Sequence, residues 1–210
     1  LSDGSLGGRT AALSQAYEDD RDNKGILIYS QEELDNMVEV AYTNGLQIAI
    51  HAIGDRAMDM VIQSYKRVLK EHPKKEPRLR IIHAQVTTES LINKFKEYNI
   101  IADVQPVFVS TDLSIAEARL GKKRAKWTYN WKTLLDEGIH VGAGSDCPVE
   151  SFSPLLGIYA AVTRKNLQGY PEGGWLPEQR ITAEEALYIF TMGSAYSSFE
   201  EDIKGSITPG

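Results

Sequence analysis

Cysteine is nearly absent from this 210-residue chain. The single thiol, Cys147, excludes an internal disulfide framework and any zinc cluster built from cysteines. Basic charge is short as well: 23 Lys and Arg stand against 29 Asp and Glu, for a formal net charge of -6. A protein that neutralises nucleic-acid phosphates wants a basic stripe, so that class of partner is set aside. No apolar run approaches the roughly 18 residues that mark a membrane span. The opening Leu1-Ser2-Asp3-Gly4 is neither basic nor apolar, unlike a signal peptide. Missing too are a Gly-x-Gly-x-x-Gly after an apolar run and a Gly-x-x-x-x-Gly-Lys phosphate loop. Hydrophobic residues make up 42%, enough for one sizeable core. These absences leave a soluble, cytoplasmic domain acting on a small molecule, with neither nucleic acid nor membrane as partner.

What the sequence does contain is an alternation of apolar runs and amphipathic segments. Residues 1–30, rich in Gly, Ser, Asp and Arg, read mostly as loop. Ser30 and Glu33 make a capping box, in which each side chain satisfies a backbone N–H left over by the first helical turn. Leu34, Met37, Val38 and Ala41 follow at helical spacing, and Asn44-Gly45 stops the helix. Residues 47–51 are a short apolar strand, and a helix follows from Gly54-Asp55 to His72-Pro73, with Ala57, Met60, Val61, Tyr65, Val68 and Leu69 facing inward. Asp55 is expected to cap that helix.

The same unit recurs. A strand over 79–83 precedes a helix over 88–98, and a strand over 100–104 closes at Gln105-Pro106. A polar stretch over 110–126 carries Lys122-Lys123-Arg124, read as a solvated face, before a helix over 127–137 and a strand over 139–145. Residues 154–164 read as helix, 166–180 as loop, and Thr182 with Glu185 as a second capping box. Four strand-then-helix units without a hairpin define an α/β fold with parallel strands. A partial (β/α)8 TIM barrel of about four βα units accounts for them better than an open doubly wound sheet, which lacks its glycine fingerprint here.

Position then singles out three residues. His51 closes one strand, His83 closes the next, and Asp146 closes the fourth. In a parallel barrel the C-terminal strand ends converge on the active-site mouth. Imidazole and carboxylate are ligands that suit zinc and related divalent ions. A strand-end histidine standing alone is more commonly a hydrogen-bonded structural residue; three such groups on one side of one sheet favour a site.

Five segments, His51-Ala-Ile-Gly-Asp55, Ile82-His83-Ala84, Gln105-Pro106, Gly144-Ser145-Asp146-Cys147-Pro148 and Asp3-Gly-Ser-Leu-Gly-Gly-Arg-Thr10, resemble in order and spacing the motifs of the amidohydrolase superfamily. The last narrows the likeness to the branch called amidohydrolase family three, which includes N-acyl-amino-acid-deacylase-like proteins. The resemblance runs from residue 1 to residue 210. It implies a metal-dependent hydrolase of amide-type C–N bonds, with a divalent metal, foremost Zn2+, held by His51, His83 and Asp146. It implies that Asp146 is the catalytic residue that takes a proton from water and returns it to the leaving nitrogen. The family's His-x-His pair occurs nowhere in the chain, and a strand-four ligand would fall upstream of Leu1.

The chain is therefore read as a single domain over 1–210, a fragment covering the second half of a barrel, with the N-terminal half and a flanking β-domain outside it. By itself it is expected to be inactive, to bind zinc weakly and, with open sheet edges, to form a homo-oligomer. The rival from another class is a non-catalytic amidohydrolase-like binding or regulatory domain. For substrate binding the candidates are Gln105, at a strand end, and Arg9, whose fork suits a carboxylate, Arg56 being the second choice. Cys147 lacks a partnered base and is read as pocket wall. Specificity is assigned to loops at 106–130 and 166–180, and Trp127, Tyr129 and Trp131 to a lid, a subunit contact or the core.

Overall fold

The computed structural model describes residues 1–208. Its centre is a four-stranded sheet, β1 (Ala49–Ala52), β2 (Arg80–His83), β3 (Ile101–Val104) and β4 (Val141–Ala143), in sequence order and parallel throughout. The register sets His51 beside Ile82 and Ile82 beside Asp103, so equivalent levels of successive strands line up. Each crossover is helical, as parallel strands require.

Helix α1 (Gln31–Thr43) starts at Ser30 with both halves of the capping box formed. Its core face is Leu34, Val38 and Tyr42, whereas Met37 is exposed. Spacing alone put Met37 inward; Tyr42 takes that role one turn later. Helix α2 (Asp55–Glu71) buries nearly every position expected of it, Tyr65 and Val61 completely. Its cap, however, is Gly54, because a Cβ there would lie 2.0 Å from the Ala12 carbonyl oxygen. Asp55 is the first helical residue and receives the Ser14 N–H at 2.9 Å instead. Helix α3 (Glu89–Glu97) is capped by Thr88 and buries Leu91, Ile92 and Phe95.

The polar stretch after β3 is not a loop. Helix α4 (Val109–Ala125) runs through it with a kink at Gly121, and its apolar residues Val109, Leu113, Ala116 and Leu120 fall on one stripe. Lys122 and Lys123 are exposed, but Arg124 turns inward to donate to the carbonyls of Gln15 and Ala16. A short α5 (Trp131–Asp136) begins later than expected, since Tyr129 takes a left-handed backbone (φ 52°). Tyr129 and Trp131 belong to the core, and Trp127 lies half exposed beside them. Helix α6 (Pro154–Thr163) follows β4, the 166–180 segment is irregular, and α7 (Ala183–Tyr188) starts from the Thr182–Glu185 capping box. A wide turn, Ile189–Gly193, joins α7 to α8 (Ser194–Ser197). Gly193 passes so near β4 that a Cβ would sit 2.2 Å from the Val141 carbonyl oxygen.

Beyond the N-terminal ends of the strands, Arg78 locks the C-terminal segment in place. It pairs with Glu201 at 2.6 Å, donates to the Tyr196 carbonyl at 2.7 Å and stacks on the Tyr196 and Phe199 rings. Within the sheet, Arg80 at the start of β2 pairs with Asp103 on β3 at 2.6 Å. No helix among the described residues is long and apolar enough to cross a membrane.

Two measurements follow from this architecture. With β1 and β4 at the two margins of the sheet, the chain is expected to sediment as a dimer or larger at tens of micromolar; a monomer there would contradict it. Phe95 is completely buried, and Phe95→Ala is expected to lower unfolding free energy by about 3–5 kcal/mol in denaturant titration.

Candidate metal site at the strand ends

The site is built from its loops inward. Asp3, fully buried, receives three backbone N–H groups: Ala12 at 2.8 Å, Ile53 at 3.0 Å and Gly54 at 2.8 Å. Its Oδ1 also lies 3.2 Å from Nε2 of His51, which in turn is 3.1 Å from the Gly4 carbonyl oxygen. The N-terminal segment thus lies against the C-terminal end of β1, where Ser2 bonds the His51 carbonyl through both its N–H and its hydroxyl.

One strand over, the chain leaves β2 through two left-handed residues, His83 (φ 76°) and Ala84 (φ 45°). That reversal brings the His83 ring edge-on to the His51 ring, with centroids 4.5 Å apart. Burial lowers the His83 pKa to about 4, and the neighbouring His51 pushes the same way; Asp146 and Gln105 oppose both. An imidazole so placed is neutral at physiological pH, the form that donates a lone pair. Gln105 is buried at the end of β3, within hydrogen-bonding reach of His83, and its amide also donates to the Asp103 carbonyl at 3.1 Å. Phe108, Tyr129 and Trp131 wall a small cavity beside these two residues.

Asp146 stands apart. It lies three residues beyond β4 on an exposed turn with φ 60°. Its charge is felt at His83, but its oxygens do not join the two imidazoles in one tight group. Among the described residues, the group of three ligand side chains whose atoms all lie within 4.8 Å is Glu39, Glu71 and His72, on the surface of α1 and α2. Arg67 already supplies a cation there, pairing with both glutamates. As a donor set for a divalent ion, His51 and His83 fit in type and in contact, and His83 also in protonation; Asp146 fits in type alone.

Arg9 and Arg56 both have intramolecular partners. Arg9 forms a fork to Asp19, with contacts of 3.1 and 2.9 Å, and Arg56 points to the carbonyls of Lys24 and Gly25. Cys147 is exposed. Three features had no role in the sequence reading. One is Asp3 itself, whose signal was an acid inside a glycine-rich run. A second is the buried network in which the Tyr129 hydroxyl meets Asp112 and Gln85, two residues beyond His83. The third is Arg164, completely buried between Trp131 and Trp175 and donating to the Tyr129 and Trp175 carbonyls.

A parallel βα sheet that gathers two histidines at its C-terminal edge offers nitrogen donors where such domains carry their active sites. The comparisons make that particular: residues 1–210 match the model of the amidohydrolase family, and the chain belongs to that family. It is 38% identical over 211 residues to the putative amidohydrolase YtcJ of Bacillus subtilis (strain 168), covering 100% of this chain and 39% of that protein. It is 36% identical to Protein LONG AFTER FAR-RED 3 of Arabidopsis thaliana over 99% of this chain and 36% of that one. Among solved structures it resembles an uncharacterized metal-dependent hydrolase from Pyrococcus horikoshii OT3, with TM-score 0.87 and 34% identity over 99% of this chain and 41% of that one. The chain thus spans about two-fifths of the length of the relatives it matches, and its fold is a partial (β/α)8 barrel.

The depressed His83 pKa has a sign that can be checked. The unfolded chain binds the proton near 6.5 and the folded chain only near 4. Stability should therefore decline as pH falls from 6.5 to 4, then stop responding to this group. Imidazole NMR should show His83 neutral at pH 6; a midpoint above 6 would contradict the burial argument.

Proposed function

We propose that the whole protein is a cytoplasmic, metal-dependent hydrolase of an amide-type C–N bond in a small molecule, and that these 210 residues carry part of its active site. The observation that supports the reading best is the pair of facing imidazoles, His51 and His83, one of them held neutral by its surroundings. Zn2+ is the ion we favour, because imidazole nitrogens and a carboxylate are donor types that suit it. When bound, it would acidify water from a pKa of about 15.7 to about 7 and polarise a carbonyl.

The chain's own residues would do the rest. His51 and His83 hold and orient the ion. Asp146, exposed on its turn and electrostatically linked to His83, takes the proton from water and delivers it to the departing nitrogen. Gln105 stands beside His83 and is suited to bind the substrate's polar end; Arg9 would need to leave Asp19 to do the same. The relatives are more than twice as long, and we assign the remaining metal ligands to that further length. The 210 residues alone should then hold zinc weakly and turn over nothing.

The decisive experiment is metal analysis of the full-length protein with an amide substrate panel. Asp146→Asn should lower kcat by about 10²–10⁴ while zinc content is kept. Unchanged turnover would remove Asp146 from the chemistry, and a full-length protein that binds no metal would overturn the reading as a whole.

A further inference from the structure

The strand register alone would keep the two imidazoles apart. His51 pairs with Ile82, so those two side chains share a face of the sheet. His83 is the next residue along β2, and in a regular strand it would point to the opposite face. Its ring nevertheless lies 4.5 Å from that of His51. The left-handed backbone of His83 (φ 76°) and Ala84 (φ 45°) is what swings it round. Neither residue is glycine, so each carries a steric cost that persists only where the surroundings over-determine the backbone.

The residues that follow supply that constraint. Val86 donates its N–H to the Ile53 carbonyl at 2.9 Å, tying the exit of β2 to the exit of β1. Thr87 donates its N–H to the Trp127 carbonyl at 2.9 Å, and its hydroxyl meets the Asn130 side chain. Gln85, next to the two left-handed residues, is held twice by one neighbour. The Tyr129 N–H donates to its carbonyl at 3.1 Å, and its own amide donates to the Tyr129 hydroxyl. Tyr129 is buried and is itself fixed at both ends. Its hydroxyl donates to Asp112, and its carbonyl accepts from Arg164, a completely buried guanidinium, at 2.7 Å.

We propose that Tyr129, acting through Gln85, is the positioning residue for His83: the double bond pair between them holds the left-handed exit that turns the His83 ring toward His51. The role deepens the metal-site reading and rests on it for its purpose, while its geometry stands on hydrogen bonds and register. Partners one step behind a metal ligand orient it in metal sites generally. Here the orientation acts through the ligand's backbone, and the ring nitrogens are left untouched.

The test uses the full-length protein with Tyr129→Phe, which keeps the backbone bond to Gln85 and loses the hydroxyl. In metal-free crystals of the variant, His83 should leave the left-handed region and the two rings should separate. A variant that keeps the backbone and the ring contact would overturn the proposal. Zinc affinity of the folded variant, measured by chelator competition, should fall about 10–100-fold. A purely structural tyrosine would lower the melting temperature and leave that affinity near wild type, which would also overturn it. Gln85→Met breaks the same link from the other side and should give the same loss, and it decides if Tyr129→Phe does not fold. The double variant should bind zinc no worse than either single one, because one link is broken only once; additive losses would show that Tyr129 does not act through Gln85. A wild-type protein that binds no zinc would sink the functional reading, and the metal-free crystal geometry would then decide the positioning role alone.

Discussion

The buried carboxylate of Asp3 is the constraint on which the rest of this structure depends. A fully buried acid is costly unless its charge is met by donors, and this one receives three backbone N–H groups and faces an imidazole. Those donors belong to segments about forty residues apart in sequence, Ala12 on one side and Ile53 and Gly54 on the other. The same bonds therefore close the N-terminal loop over β1, set the entry of α2 and fix the level of His51. The neighbouring glycines are a condition of that arrangement. Gly54 must lack a Cβ because the Ala12 carbonyl sits where it would go, and Gly4 lies equally close to the Thr10 side chain. Ala12 in turn accepts the N–H groups of Arg56 and Ala57, so the first turn of α2 is satisfied by the loop that Asp3 organises.

The two ends of the sheet solve different electrostatic problems. Away from the histidines, charges are paired outright: Arg80 with Asp103 across β2 and β3, and Arg78 with Glu201 beyond the N-terminal strand ends. Burial pushes the Asp103 carboxyl up, and Arg80 pulls it back down. Such pairs satisfy one another's charge. At the C-terminal ends the polar groups are two imidazoles, of which His83 is kept uncharged by burial, with Gln105 as a neutral neighbour. Unprotonated nitrogen in a partly buried place keeps its capacity to bind a cation, which a formed ion pair does not. Stability at one end and chemistry at the other is the division a parallel barrel ordinarily shows.

Much of this was legible in the residues. Both capping boxes formed as read, because Ser30 with Glu33 and Thr182 with Glu185 are local devices that tertiary packing has no reason to override. The four parallel strands and the strand-end positions of His51 and His83 followed from short apolar runs between helical stripes. Illegible were the features set by contacts across the chain. Asp55 looks like a cap, yet Gly54 takes that position because of a carbonyl forty-odd residues earlier in the sequence. The helix over Val109–Ala125 hides behind its charged residues, since only a narrow apolar stripe faces the core. Asp3 lies in a run noted for its glycines, and nothing local says that its carboxylate meets His51. Arg164 could not have been placed in the core from sequence, because an arginine between two tryptophans owes its position to carbonyls of distant residues.

The distance of Asp146 from the two histidines is itself informative about how such a site works. His51 and His83 are held by hydrogen bonding and by burial, so little ordering is left for them when a cation arrives. Asp146 sits on an exposed turn in a left-handed backbone conformation, with neither kind of support. A group that only ligates gains from rigidity, because every degree of freedom frozen on binding weakens it. A group that must accept a proton from one atom and deliver it to another gains from reach. The geometry therefore separates two jobs that the spacing of His51, His83 and Asp146 in the sequence would have merged. In the function proposed above, the imidazoles would hold the ion and the aspartate would transfer the proton. In the proposed site the loose placement of Asp146 would then be no defect, and completing the coordination would fall to residues other than these three.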